Sequence, residues 1–231
     1  MISMKTETKT AVLITAATRW EAAPLARGLG LRSSAANRFE GRAGARPVVL
    51  VKTGIGATKT TEALERGCVA GDFGLALSVG LCGALQPELK TGDLVADAQN
   101  ADMDYVTPLR ETAVSLGLPL HFGKILHANI LLRPEDKRRL GVELRTVACD
   151  METAAVRRWA YDKIPVIGLR AVLDEVDEEL PDSPAGEDAA ALARYALSHA
   201  GQMPRLIRLG LRSSRAMRVL ARFLKIYLEA V

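Results

Sequence analysis

The stretch RPVVLVKTGIGATKTTEALERGCVAGDFGLALSVGLCG, residues 46–83, decides the fold. It opens with an apolar strand, Arg46 to Lys52, that runs into the turn Thr53-Gly-Ile-Gly56. A helix is expected from about Thr58 to Val69. A second apolar strand, Leu75 to Val79, then ends at a second glycine turn, Gly80-Leu-Cys-Gly83. Strands alternating with helices give an α/β fold, and glycine turns at strand ends mark where ligands sit in such folds.

The alternation continues on both sides. Ala11 to Ala16 reads as a buried strand, followed by a short helix from Glu21 to Leu29. Asp93 to Ala96 is a short strand after the turn at Thr91-Gly92, and residues 99–130 carry little pattern. Leu144 to Ala148 reads as a strand leading into a helix from Asp150 to Trp159. Ile164 to Val172 is a strong apolar strand that exits into the acidic loop Asp174–Asp182, and Asp188 to Ala200 is helical. Residues 1–9 are polar and expected to fray. There are no internal repeats and no low-complexity tract. One domain is expected over 1–203, with a distinct tail over 204–231.

Composition narrows the function classes. Of 231 residues, 48% are hydrophobic and 25% charged, which excludes disorder of the whole chain. Aromatics are only 4%, so the core is aliphatic and stacking platforms for sugars or single-stranded nucleic acid are disfavoured. Cys68, Cys82 and Cys149 have no CxxC spacing, and His121, His127 and His199 have no metal-ligand spacing, so no metal is expected. No apolar run reaches the ~20 residues of a membrane span. An odd number of cysteines without a signal peptide points to reduced thiols in a cytoplasm. The net charge is +4, but residues 204–231 hold seven bases and one acid, or +6, which leaves −2 for the body. A nucleic-acid role for the whole protein loses its support there.

Several residues at strand ends carry chemistry. Gly54, Gly56 and Gly83 free backbone groups to line a pocket, although each is equally a plain tight turn. Arg170 lies inside an apolar strand and needs either an internal acid or a ligand. Asp174 follows it. Glu21 and Asp150 serve equally well as acids at helix N-termini, whereas Glu152 fits that role less well. Cys82 reads as a small buried thiol rather than a nucleophile. Glu21, Glu152, Arg170 and Asp174 all fall at strand C-terminal ends, and together they are stronger than any one alone.

The ordered motifs Ala17-Thr-Arg-Trp-Glu21, Thr53-Gly-Ile-Gly56, Ser78 to Val95, Ala148-Cys-Asp-Met-Glu-Thr-Ala-Ala155 and Leu169-Arg-Ala-Val-Leu-Asp174 span most of residues 10–200. In this order they resemble the nucleoside phosphorylase and methylthioadenosine/S-adenosylhomocysteine nucleosidase superfamily. The resemblance implies a three-layer α/β/α fold with a central mixed sheet, assembly into homo-oligomers, and cleavage of an N-ribosidic bond. It implies that Glu21 activates the nucleophile with help from Arg170, that Met151 and Glu152 hold the ribose, and that Asp174 protonates the leaving purine at N7. No metal or organic cofactor is implied. Ser78 and Leu81 stand where one phosphorolytic branch carries phosphate ligands, which favours water, with phosphate the alternative co-substrate. Ile130 falls near the position of a purine-stacking Phe, and Leu173 replaces a Ser before the catalytic Asp.

In the tail, Arg215, Arg218, Arg222 and Lys225 share one helical face, and Val219, Leu220, Phe223 and Tyr227 the other. Such a helix either docks on the body or a second subunit, or attaches peripherally to an anionic membrane at the inner face. A basic tail on a nucleosidase-like core also resembles the hopanoid-associated phosphorylase subgroup, whose substrate is an adenosylated hopanoid lipid. The expected activity is therefore release of the base from an adenosine-type nucleoside or adenosylated lipid. The rival from another class is a non-catalytic nucleoside- or lipid-binding module on the same fold.

Overall fold

The computed structural model describes residues 11–181, 201 and 203–231. The expectations for residues 1–9 and for a helix over 188–200 lie outside them.

Five elements lead up to the first glycine turn: β1 (Val12–Ala16), α1 (Arg19–Gly28), β2 (Arg32–Ala35), β3 (Arg38–Ala43) and β4 (Arg46–Lys52). Next come α2 (Ala57–Gly67), β5 (Leu75–Ala84), β6 (Leu94–Asp97), α3 (Met103–Leu116), β7 (Leu120–Phe122) and β8 (Ile125–His127). The remainder are α4 (Pro134–Glu143), β9 (Ala148–Asp150), α5 (Thr153–Ala160), β10 (Val166–Asp174) and α6 (Met203–Ala230). The strands form one mixed sheet in the order β2-β3-β4-β1-β5-β10-β6-β7, with β9 and β8 added at the end of β5. The central strands β4, β1, β5 and β10 run parallel. They are continuous aliphatic runs because helices cover both faces. On one face α1, α3 and α6 bury Leu25, Ala113 and Leu220 against Ile14, Leu77 and Leu169. On the other, Leu64 of α2 and Val156 of α5 pack on Leu13 and Ala76. The expected three-layer architecture with a mixed central sheet is borne out.

Some local expectations are corrected. Gly80-Leu-Cys-Gly83 is not a turn but the last part of the ten-residue strand β5. It stays extended because β10 pairs with it as far as Gly83. Likewise β10 runs on to Asp174, so that residue is the end of a strand rather than the start of a loop. The strand expected at Leu144–Ala148 lies at Ala148–Asp150, and the helix after it starts at Thr153, which leaves Met151 and Glu152 in the connection. The weakly patterned middle contains α3, β7 and β8, while the β2–β3 hairpin, exposed along most of its length, had no apolar alternation to reveal it.

The basic tail docks on the body. Met217, Leu220, Phe223, Leu224, Tyr227 and Leu228 of α6 are fully buried, whereas Arg215, Arg218, Arg222 and Lys225 face outward. Gly28 of α1 is what allows the close approach, since a Cβ there would lie 2.7 Å from the Cβ of Ala221. No helix of the described residues is long and apolar enough to cross a membrane.

Phe223→Ala is expected to lower the unfolding free energy by about 3–5 kcal/mol, the usual cost of emptying a buried aromatic site. Arg222→Ala, one residue away on the exposed face, should change it by less than about 0.5 kcal/mol. Urea unfolding of the two variants reads both effects.

Candidate active site

The C-terminal ends of β1, β5, β9 and β10 converge on one cavity of about 190 Å³. Glu21, Asp150, Glu152, Asp174 and Lys137 line it on the polar side, and Ile55, Leu81, Ile130, Leu131 and Leu173 on the apolar side. Two roomier clefts, of about 330 and 320 Å³, lie beside the start of α6 and beneath residues 162–166. Neither gathers buried carboxylates, so the smaller cavity is where the chemistry is concentrated.

Glu21 enters through a capping box. Thr18 caps α1 by accepting the Glu21 N–H, and Glu21 Oε2 accepts the Thr18 N–H at 3.0 Å in return. Its other oxygen, Oε1, accepts the Leu81 N–H at 3.0 Å across to β5. The helix-acid and functional readings of Glu21 are thus the same placement. Since Leu81 contributes its backbone, the identity of its side chain is immaterial to this bond. Gly80 makes the approach possible: a Cβ there would lie 2.4 Å from Glu21 Oε1 and 2.5 Å from Arg170 Nη1.

Arg170 is 1% exposed and finds the internal acid that an Arg in an apolar strand needs. Its Nη2 lies 2.6 Å from Asp150 Oδ2 and 3.7 Å from Glu152 Oε2. The same nitrogen donates to Ser78 Oγ at 2.7 Å and to Thr153 Oγ1 at 3.2 Å. Burial pulls the guanidinium down, but Asp150, Glu152 and Glu21 outweigh it and hold Arg170 firmly charged. Asp150 also accepts the Thr153 N–H at 3.2 Å, so it caps α5 while pairing with Arg170. Ser78 and Thr153 were not among the expected site residues. Both are small buried hydroxyls that meet Arg170 and each other across distant segments, and Thr153 also bonds Asp150 three residues before it.

Glu152 projects from the β9–α5 connection, and its Oε1 accepts the Gly56 N–H at 2.8 Å. Gly56 can offer that N–H because it takes φ +90° just before α2, a conformation that favours glycine. Burial pushes Glu152 up to about 7, against the pull of Arg170 and the Gly56 N–H. Gly54 and Gly56 therefore do not line the cavity as expected. Gly54 packs against Lys59, Gly56 is committed to Glu152, and Ile55 between them faces the cavity. Gly83 and Met151 do line it, and Ile130 stands at its rim, 71% exposed.

Asp174 lies further along β5 than Glu21, where a Cβ on Gly83 would come within 3.1 Å of its Oδ2. Burial raises its carboxyl above the usual range, while Lys137 pulls it back. Lys137, 2% exposed on α4, forms a buried ion pair with Asp174 Oδ2. Nothing in the sequence singled it out, because it sits in the charged run Pro134-Glu-Asp-Lys-Arg-Arg139, which reads as a solvated helix. Burial also keeps Cys82 and Cys149 neutral, with Cys149 at about 12, consistent with an inert thiol at position 82. Among the described residues no group of three or more His, Cys, Asp or Glu side chains is arranged to hold a metal.

The phosphorylase superfamily model matches residues 11–114. No curated protein sequence matches the chain. Among solved structures, a 5′-methylthioadenosine/S-adenosylhomocysteine nucleosidase of Campylobacter jejuni superposes with a TM-score of 0.73 at 18% identity, over 96% of this chain and 100% of that one. A futalosine hydrolase of Helicobacter pylori gives 0.72 at 18%, over 96% and 98%. The nucleosidase of Helicobacter pylori with butyl-thio-DADMe-Immucillin-A gives 0.70 at 17%, over 96% and 99%. At such identities the likeness concerns the fold. The family match over residues 11–114 agrees with the resemblance read from the ordered motifs, and the architecture it implied is borne out.

Glu152 couples this site to stability. Its folded value of about 7 lies above the ordinary 4.5. The folded state therefore holds the proton more tightly than the unfolded state. Wild type should thus lose stability relative to Glu152→Gln as pH rises from about 4.5 to 7, by roughly 3 kcal/mol in all. Urea unfolding of both proteins at pH 4.5, 6 and 8 measures the difference, and a gap independent of pH would contradict it.

Proposed function

We propose that the chain is an enzyme that cleaves the N-ribosidic bond of a purine nucleoside. The observation that carries this reading is that Glu21, Glu152 and Asp174 all line one cavity, with Glu21 against Gly80 and Asp174 against Gly83 of β5. Departure of the base leaves positive charge on the ribose ring, and the buried carboxylates Glu21 and Glu152 stabilise it. Glu152 and Met151 hold the sugar. Glu21 takes the proton of the attacking nucleophile and is kept in position by the Thr18 and Leu81 N–H groups. Arg170 aligns the wall behind it through Asp150. Asp174, raised by burial, donates a proton to N7 of the leaving purine.

Water is the favoured nucleophile. The Ser78 hydroxyl is already engaged by Arg170 and Thr153, and Leu81 offers only its backbone. No organic cofactor or metal takes part in this scheme. The exposed apolar rim formed by Ile55, Ile130 and Leu131 suits a substrate with an apolar 5′ substituent, and an adenosylated hopanoid lipid is one such molecule. A lipid substrate would bring the enzyme to the inner membrane face. There α6 offers its outward row of Arg215, Arg218, Arg222 and Lys225, because its apolar side is spent on the core.

Chromatography of adenosine, methylthioadenosine, inosine and an adenosylated lipid, each incubated with and without phosphate, tests the reading. Free base is expected without phosphate. Glu21→Gln and Asp174→Asn should each slow its release by about 10²–10⁴-fold. Release that strictly requires phosphate would replace water by phosphate. Failure to release base from any of the four would overturn the enzymatic reading in favour of a binding module.

A further inference from the structure

Lys137 is the one buried lysine among the described residues, and its three ammonium donors are all used. One meets Asp174 Oδ2, one the Glu175 carbonyl at 3.0 Å and one the Glu178 carbonyl at 2.6 Å. Its neighbours Glu135, Arg138 and Arg139 on α4 are exposed, so the inward lysine is not a by-product of a buried helix. A buried ammonium is costly unless paired and hydrogen-bonded, and this one ties α4 to the end of β10 and the turn after it. With every donor taken, it acts on a ligand only through Asp174. Leu173, next in the chain, has no polar side-chain atom to do the same.

We propose that Lys137 is a positioning residue for leaving-group protonation: it holds the Asp174 carboxyl and the turn over 175–178, and its ammonium stabilises the carboxylate left behind when Asp174 gives up its proton. This inference rests on the ribosidic reading above. The proton balance is closed. The C1′–N bond breaks with its electron pair going to the base, and the Asp174 proton passes to purine N7. The resulting carboxylate stays paired with Lys137, while the nucleophile bonds to C1′ and its proton goes to Glu21. The groups facing Asp174 are Lys137 from α4, Glu178 from the following turn, Cys149 from β9 and Cys82 from β5. Both thiols are neutral, and Glu178 is itself bound by Arg212 at 2.7 Å. Lys137 is therefore the cation that opposes burial at this carboxyl. Burial favours the protonated form of Asp174 and Lys137 favours the carboxylate, and a general acid needs both influences in balance.

The test compares wild type, Lys137→Met and Lys137→Arg as full-length proteins, using a nucleoside that wild type cleaves. Lys137→Met is expected to lower kcat by about 10²-fold with KM little changed, and to move the alkaline limb of the kcat profile to higher pH. Lys137→Arg should recover much of the rate and return the limb toward that of wild type. The loss in Lys137→Met should shrink on 4-nitrophenyl riboside, whose leaving group departs without a proton. The carboxylic-acid infrared band of Asp174, isolated by difference against Asp174→Asn, should persist to higher pH in Lys137→Met. A limb and band that coincide with those of wild type would overturn the proposal, even if Lys137→Met is slow or less stable. A wild-type protein that cleaves no nucleoside would instead sink the ribosidic reading, and this inference with it.

Discussion

A guanidinium with 1% exposure in the middle of a mixed sheet is the constraint around which this molecule is organised. Arg170 lies in β10, between β5 on one side and β6 on the other, where water cannot solvate it. It is tolerable only because Asp150 stands 2.6 Å away and the hydroxyls of Ser78 and Thr153 accept from the same nitrogen. Removing one member of such a buried pair typically costs about 3–5 kcal/mol. The pair also dictates geometry. Asp150 ends β9 and caps α5, so fixing it to Arg170 fixes the connection between them, and Glu152 projects from that connection into the cavity.

The two ends of the cavity use burial in different ways. At the Glu21 end, backbone N–H groups from Thr18 and Leu81 define where the carboxylate lies, and Gly80 leaves the space for it. At the Asp174 end the partner is a charged side chain from a separate helix. One wall is thus set by main-chain geometry, and the other by a long-range ion pair. Pairs of titratable groups held in contrasting surroundings are what divide acid from base roles within one site.

The last helix shows why net charge is a poor guide to function in this chain. The basic pI comes from the outward row of α6, while its apolar row fills the sheet face shared with α1 and α3. A helix that reads as membrane-seeking when considered alone is a core element when the sheet is present, because its apolar side covers Leu77, Leu169 and their neighbours.

The order of strands, glycine turns and helices was legible in the sequence because apolar runs and φ-permissive residues are local signals. Arg46–Lys52, the helix after Gly56 and the apolar strand that carries Arg170 needed nothing else. The motif order pointed to the architecture, and strand ends drew attention to Glu21, Glu152, Arg170 and Asp174. What lay beyond the sequence were interactions whose partners are far apart along the chain. That Gly80 and Gly83 belong to a strand depends on β10 pairing beside them. That Gly56 serves Glu152 rather than a ligand depends on a contact 96 residues away. Lys137 gives no local sign, since a lysine in a charged helix looks solvated until the fold turns it inward. Periodicity is a property of neighbours in sequence and fixes elements, whereas the pairing of buried charges is a property of neighbours in space and emerges only when the layers have packed.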